Sequence, residues 1–186
     1  MFNTYFQLGI QHITDLKGLD HIIFLLALIA TVPAKSIKTI LFLVSSFTIG
    51  HAITLALAAL DLIVFDAELI EKLIAITILV TAVQNLIIKK HDQNILIFKY
   101  VEALFFGLIH GLGFSGFFKS LLGKENDILM PLLYFNLGIE AGQILVLAIS
   151  FLLIVILENS GVVKSKDRNI FLSGGAIFSA FLLFFR

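Results

Sequence analysis

Between Leu129 and Leu157 the chain carries one charged residue, Glu140, in an otherwise almost wholly apolar run. A segment that long leaves few options: its backbone groups must be satisfied within the segment, and its side chains favour hydrocarbon over water. It reads as a membrane-spanning helix. Composition agrees, since 59% of the 186 residues are hydrophobic and 14% are charged, with a mean hydropathy of +1.05. Soluble domains hold about a quarter charged residues.

Five further stretches repeat the pattern. Gly18–Val32, ended by Pro33, is short for a crossing, which takes about 20 residues; Ser36–Phe65, Leu69–Ile88, Ile95–Phe118 and Ile170–Phe185 complete the set. Residues 1–17 mix aromatic and aliphatic side chains with Asn3, Thr4, Gln7, Gln11, His12 and Asp15, which predicts an interfacial amphipathic helix. The expected fold is therefore all-α: a short interfacial segment, residues 1–17, followed by a polytopic bundle of about six transmembrane helices, residues 18–186. Six crossings put both termini on one side. Lys35, Lys38, Lys89, Lys90, Lys99, Lys164, Lys166 and Arg168 collect on the other, so the termini are expected outside the cytoplasm. The start has no basic n-region or small-residue cleavage pattern, so the first span is expected to direct insertion.

Formal net charge is zero, which gives no field for nucleic acid. There is no cysteine, which excludes disulfides, thiolate ligands and a cysteine nucleophile. A bound metal would have nitrogen and oxygen ligands.

Against this apolar background the polar residues stand out. His110 sits among glycines in FGLIHGLGFSGFF, and an imidazole in hydrocarbon needs partners. Counting at about 1.5 Å per residue, Asp20, His21, His51, Glu71, His110, Asn136 and Glu140 can all reach the outer half of a bundle. Asn136, Glu140 and Gln143 follow i, i+4, i+7 spacing and share a face. Gly107/Gly111 and Gly138/Gly142 are spaced for close helix approach, and predict that the fourth and fifth spans are neighbours with room around His110. Each residue also has a plainer role. Asp20 suits an N-cap, His110 could bond a backbone carbonyl, Glu102 could pair with Lys99 one turn back, and His91 belongs to a loop. Together, imidazoles and carboxylates without sulfur suit a divalent transition metal: zinc, nickel, cobalt or iron. Ser115 has no GxSxG elbow around it.

The motifs GIQHITDLKGLDHIIFLLALI, SFTIGHAITLALAAL, EKLIAITIL, FGLIHGLGFSG and YFNLGIEAGQ, in that order, resemble those of the HupE/UreJ family of bacterial membrane proteins. The resemblance covers about residues 9–143 and implies a nickel or cobalt permease of the bacterial inner membrane. It adds His12 to the polar motif positions, beside Asp20, His21, His51, Glu71, His110, Asn136 and Glu140. The chain lacks the proline after the first histidine found in the better-studied permease branch and is closer to the branch with a longer first-motif spacer. Expected metal ligands are thus His12, Asp20, His21, His51, His110 and Glu140, supported by Glu71, Asn136 and Gln143. Two functions fit: a divalent-metal transporter, or an intramembrane zinc hydrolase in which Glu140 or Asp20 is the general base. A metal-binding accessory protein is a third. The implied partners are the lipid bilayer and a metal ion; the sequence sets no oligomeric state.

Overall fold

The computed structural model describes residues 1–16, 18–33, 36–88, 93–123, 128–162, 164 and 167–186. Lys17, Lys35, Lys89, Lys90, His91, Lys124, Glu125, Asp127 and Lys166 lie outside the described residues. Within them the chain forms seven helices and no strand: α1 Phe2–Thr14, α2 Asp20–Ile29, α3 Ile37–Ala59, α4 Ala67–Ile87, α5 Gln93–Leu122, α6 Leu129–Asn159 and α7 Arg168–Phe184. The helices α3, α4, α5 and α6 are long and apolar enough to cross a membrane; α2 and α7 are shorter apolar helices.

Local sequence explains the ends. Asp66 caps α4, its carboxylate accepting from Leu69 N at 2.9 Å, which is worth about 1 kcal/mol. Pro33 follows the Ala30–Val32 turn that closes α2 and cannot extend it. The second span was expected to reach Phe65, but α3 stops at Ala59 and residues 60–66 are non-helical. Hydropathy registers their apolar side chains, not their backbone.

Packing is pairwise. α3 lies on α5, α1 on α6 and α4 on α7, while α2 touches α1, α3, α4, α6 and α7. Glycine sets these approaches, because only a missing Cβ lets backbones come this close. A Cβ on Gly50 would overlap the backbone of Leu104 and Leu108; on Gly107 it would overlap Phe47 O, and on Gly111 the His51 carbonyl. Gly9 and Gly138 bring α1 and α6 together in the same way. The expectation that the spans now seen as α5 and α6 are neighbours through facing glycines is therefore corrected: Gly107 and Gly111 of α5 face α3, and Gly138 and Gly142 face α1. A glycine pair says that some backbone comes near, not which one.

The amphipathic pattern of residues 1–17 appears as a buried stripe, Tyr5, Gly9 and Ile13, laid against α6. From there the chain follows α5 in the opposite sense. Tyr5, His12, His21, Phe24 and Thr31 meet, in order, Phe118, Phe114, His110, Phe106 and Lys99. That stretch of α5 is about 28 Å long. So α1 and α2 are two half-length helices in succession, the first ending at Thr14 and the second beginning at Asp20.

Candidate metal centre

The break between α1 and α2 is where the histidines meet. His12 comes from the last turn of α1, Asp20 and His21 from the first turn of α2, His51 from mid-α3 and His110 from α5. Among the described residues two groups have ligand atoms within 4.8 Å of one another: His12, His21 and His51, and Asp20, His21 and His110. His21 belongs to both. Its ring centroid lies 4.4 Å from that of His12, 5.1 Å from His110 and 6.1 Å from His51. His51 and His110 are 0% exposed and His21 4%. A cavity of about 400 Å³ reaches His12, Asp20, His21 and His110 from the end of the bundle that carries Asp15, Glu71 and Arg186. On its other side His110 abuts Phe24 and Phe47, each with ring centroids 5.1 Å away.

Hydrogen bonding selects the ligating atoms. The Thr77 hydroxyl lies 2.7 Å from Ile74 O and 3.0 Å from His110 Nε2; with its proton donated to Ile74 O it accepts from the imidazole, which puts the His110 proton on Nε2. The His110 Nδ1 lone pair is then free, and that atom is buried without a hydrogen-bond partner. In the same way Asp20 Oδ2 lies 3.2 Å from His21 Nδ1, which leaves His21 Nε2 as the lone-pair atom, also buried and unpartnered. His12 Nε2 and both nitrogens of His51 share that condition. Each buried, unmet polar atom costs about 1–3 kcal/mol. A cation with an affinity for nitrogen would remove several such costs at once, so these residues could hold a divalent transition metal, on His12, His21 and His51 or on Asp20, His21 and His110. Asp20 is the first residue of α2 and not its N-cap, which is Leu19, and its carboxylate can join the second set or orient the His21 ring from behind.

Thr77 was not singled out as a site residue in the sequence. The available signal was the spacing of Thr77, Thr81 and Asn85 at i, i+4, i+8 on an apolar span, a stripe that is buried in the fold. We expect Thr77→Val to weaken metal binding by about 10–100-fold, the usual cost of losing an outer partner, and Thr77→Ser to restore it, measured by cobalt titration.

The other expected residues lie elsewhere. Glu140 accepts from Ser45 at 2.7 Å and Gln143 from Thr48 at 2.8 Å, so both join α6 to α3 and neither enters the histidine groups. Asn136 donates to Leu132 O in its own helix at 2.8 Å. Glu71 lines the cavity mouth, and Lys72 pairs with Glu68. Ser115 donates to Leu112 O within its own helix. The shared face of Asn136, Glu140 and Gln143 was legible; its neighbour was not. Glu140→Gln keeps the Ser45 bond available and should leave cobalt affinity unchanged in the same titration.

Comparison with known proteins gives one match: a family described as HupE / UreJ protein matches residues 1–185. No curated protein and no solved structure matches the chain.

Proposed function

The chain belongs to the HupE/UreJ family, and from that premise we propose that it moves a divalent transition-metal ion, nickel or cobalt by family association, across the bacterial inner membrane. The observation that carries this reading is the set of buried imidazole nitrogens that lack any other partner.

In this reading α1 and α2 make one interrupted crossing, and the helix break supplies the binding site, as discontinuous helices do in transporters. With α3 to α7 that gives six crossings and both termini on the non-cytoplasmic side. The ion enters the cavity past Glu71 and Asp15 and exchanges water for His12, His21, His51 and His110. Its onward path follows the buried face of α4, from Thr77 to Thr81 and Asn85. The threonines offer little by themselves, since Thr81 donates to Thr77 O, so passage requires the surrounding helices to part.

A second reading, a zinc hydrolase, has its own support in the cavity that opens at one end and meets Phe24 and Phe47 beyond His110. There Asp20 or Glu71 would serve as base; Glu140, bonded to Ser45, is not among the cavity residues.

Flux separates the two. Protein reconstituted in sealed vesicles should accumulate labelled nickel or cobalt, and His110→Ala should stop the uptake. Tight metal binding without flux in the wild-type protein would reject transport in favour of the enzyme.

A further inference from the structure

At the end of the bundle remote from the cavity lies a second polar cluster that the metal centre does not use. Lys99 Nζ donates to Thr31 Oγ1 at 2.8 Å and to Asn85 Oδ1 at 3.1 Å. Asn85 in turn donates to Ala27 O at 2.6 Å, and its own carbonyl accepts from Asn169 Nδ2 at 2.6 Å. The ammonium thus sits where α2, α4, α5 and α7 meet, just past the C-terminus of α2. Asn85 is also the last residue of the buried stripe that begins with Thr77 against His110.

Both groups that hold Lys99 are neutral. Among the described residues no carboxylate forms a salt bridge with it; Glu102 is hydrogen-bonded with Gln84 and acts on Lys99 only at longer range. A positive charge is therefore held by neutral groups, with no anion in direct contact, at the foot of the stripe below a cation site. It repels a divalent ion there, and more strongly than in water. Lys99 is half-buried, and a lysine stem is long enough to carry its ammonium away from Thr31 and Asn85.

We propose that Lys99 is the gate on the far side of the transport path: docked on Thr31 and Asn85 it closes the stripe, and withdrawn it opens it. The proposal rests on the transport reading, but its test does not require flux. The chain has no cysteine, so Thr81→Cys provides a single thiol between the metal centre and Lys99.

A membrane-impermeant methanethiosulfonate reagent, applied from the far side to vesicles, should label this thiol slowly while Lys99 is present. With Lys99→Met added, labelling should be on the order of tenfold faster, as for a one-decade shift of a closed–open equilibrium. Lys99→Arg, which keeps the charge, should retain protection. Equal rates with and without Lys99→Met, in protein that still binds cobalt, would overturn the gate. If Lys99→Met protein does not bind cobalt, Thr31→Val takes its place, because it removes one docking oxygen; faster labelling supports the gate and an unchanged rate overturns it. Faster labelling with Lys99→Met in a protein that moves no labelled nickel or cobalt supports closure of the stripe by Lys99 and refutes transport, whereas flux with unchanged labelling refutes the gate alone.

Discussion

His21→Ala should lower cobalt affinity by more than about 100-fold, beyond the 10–100-fold cost of losing an outer partner, because it removes a ligand as well as the group that Asp20 orients. His21 is the one residue common to both ligand groups. Its loss also leaves the Asp20 carboxylate, whose side chain is 20% exposed, without the imidazole it faces at 3.2 Å. His12→Ala and His110→Ala, each touching one group, should cost less. Titration of purified protein with cobalt, followed by its visible absorption and by calorimetry, would rank the three variants. A folded His21→Ala protein with wild-type cobalt affinity would mean that the histidine cluster is not the metal site.

Gly111→Leu should damage both stability and the metal centre, and Gly116→Leu, five residues along the same helix, should be nearly silent. A Cβ at Gly111 would overlap Thr54 Oγ1 and the His51 carbonyl oxygen, with the His51 carbonyl carbon 3.0 Å away. Neither helix backbone can give way locally, so α3 and α5 must part. Forcing extra atoms into a packed interface costs on the order of 3 kcal/mol. The same displacement separates His51 from His110, so stability and metal affinity should fall together. A Cβ at Gly116 meets nothing within 4 Å. Thermal melting in detergent, paired with cobalt titration, tests the contrast; a Gly111→Leu protein that melts and binds as the wild type does would remove close α3–α5 approach as the device that assembles the centre.

Much of the site was legible as composition and depth. His21, His51 and His110 stand out because imidazoles are expensive in apolar helices, and counting residues from helix ends put them at one level. Asp20 was legible as an expected ligand beside His21, and the structure sets its carboxylate 3.2 Å from His21 Nδ1. His12 was less visible: its surroundings are polar enough for solvent, and only the family motif marked it. Glu140 shows the opposite error. Its spacing from Asn136 and Gln143 identified a face, but whether that face meets imidazoles or the hydroxyls of Ser45 and Thr48 depends on how α6 is placed against α3.

The division follows from what each kind of information contains. Hydropathy and helical period are properties of a segment with its solvent, so the apolar helices, their approximate ends and the cost of each buried polar residue could be read from the sequence. Pairing is a property of two segments. The glycines at 9, 50, 107, 111 and 138 announce close approach without naming a partner, and only the tertiary structure matched α5 with α3 and α1 with α6. It alone set α1 and α2 in succession along α5, so that the end of α1 at Thr14 and the start of α2 at Asp20 meet beside the histidines. The choice of atom, Nδ1 for His110 and Nε2 for His21, was likewise decided by Thr77 and Asp20, because a tautomer is fixed by the hydrogen bond on the far side of the ring.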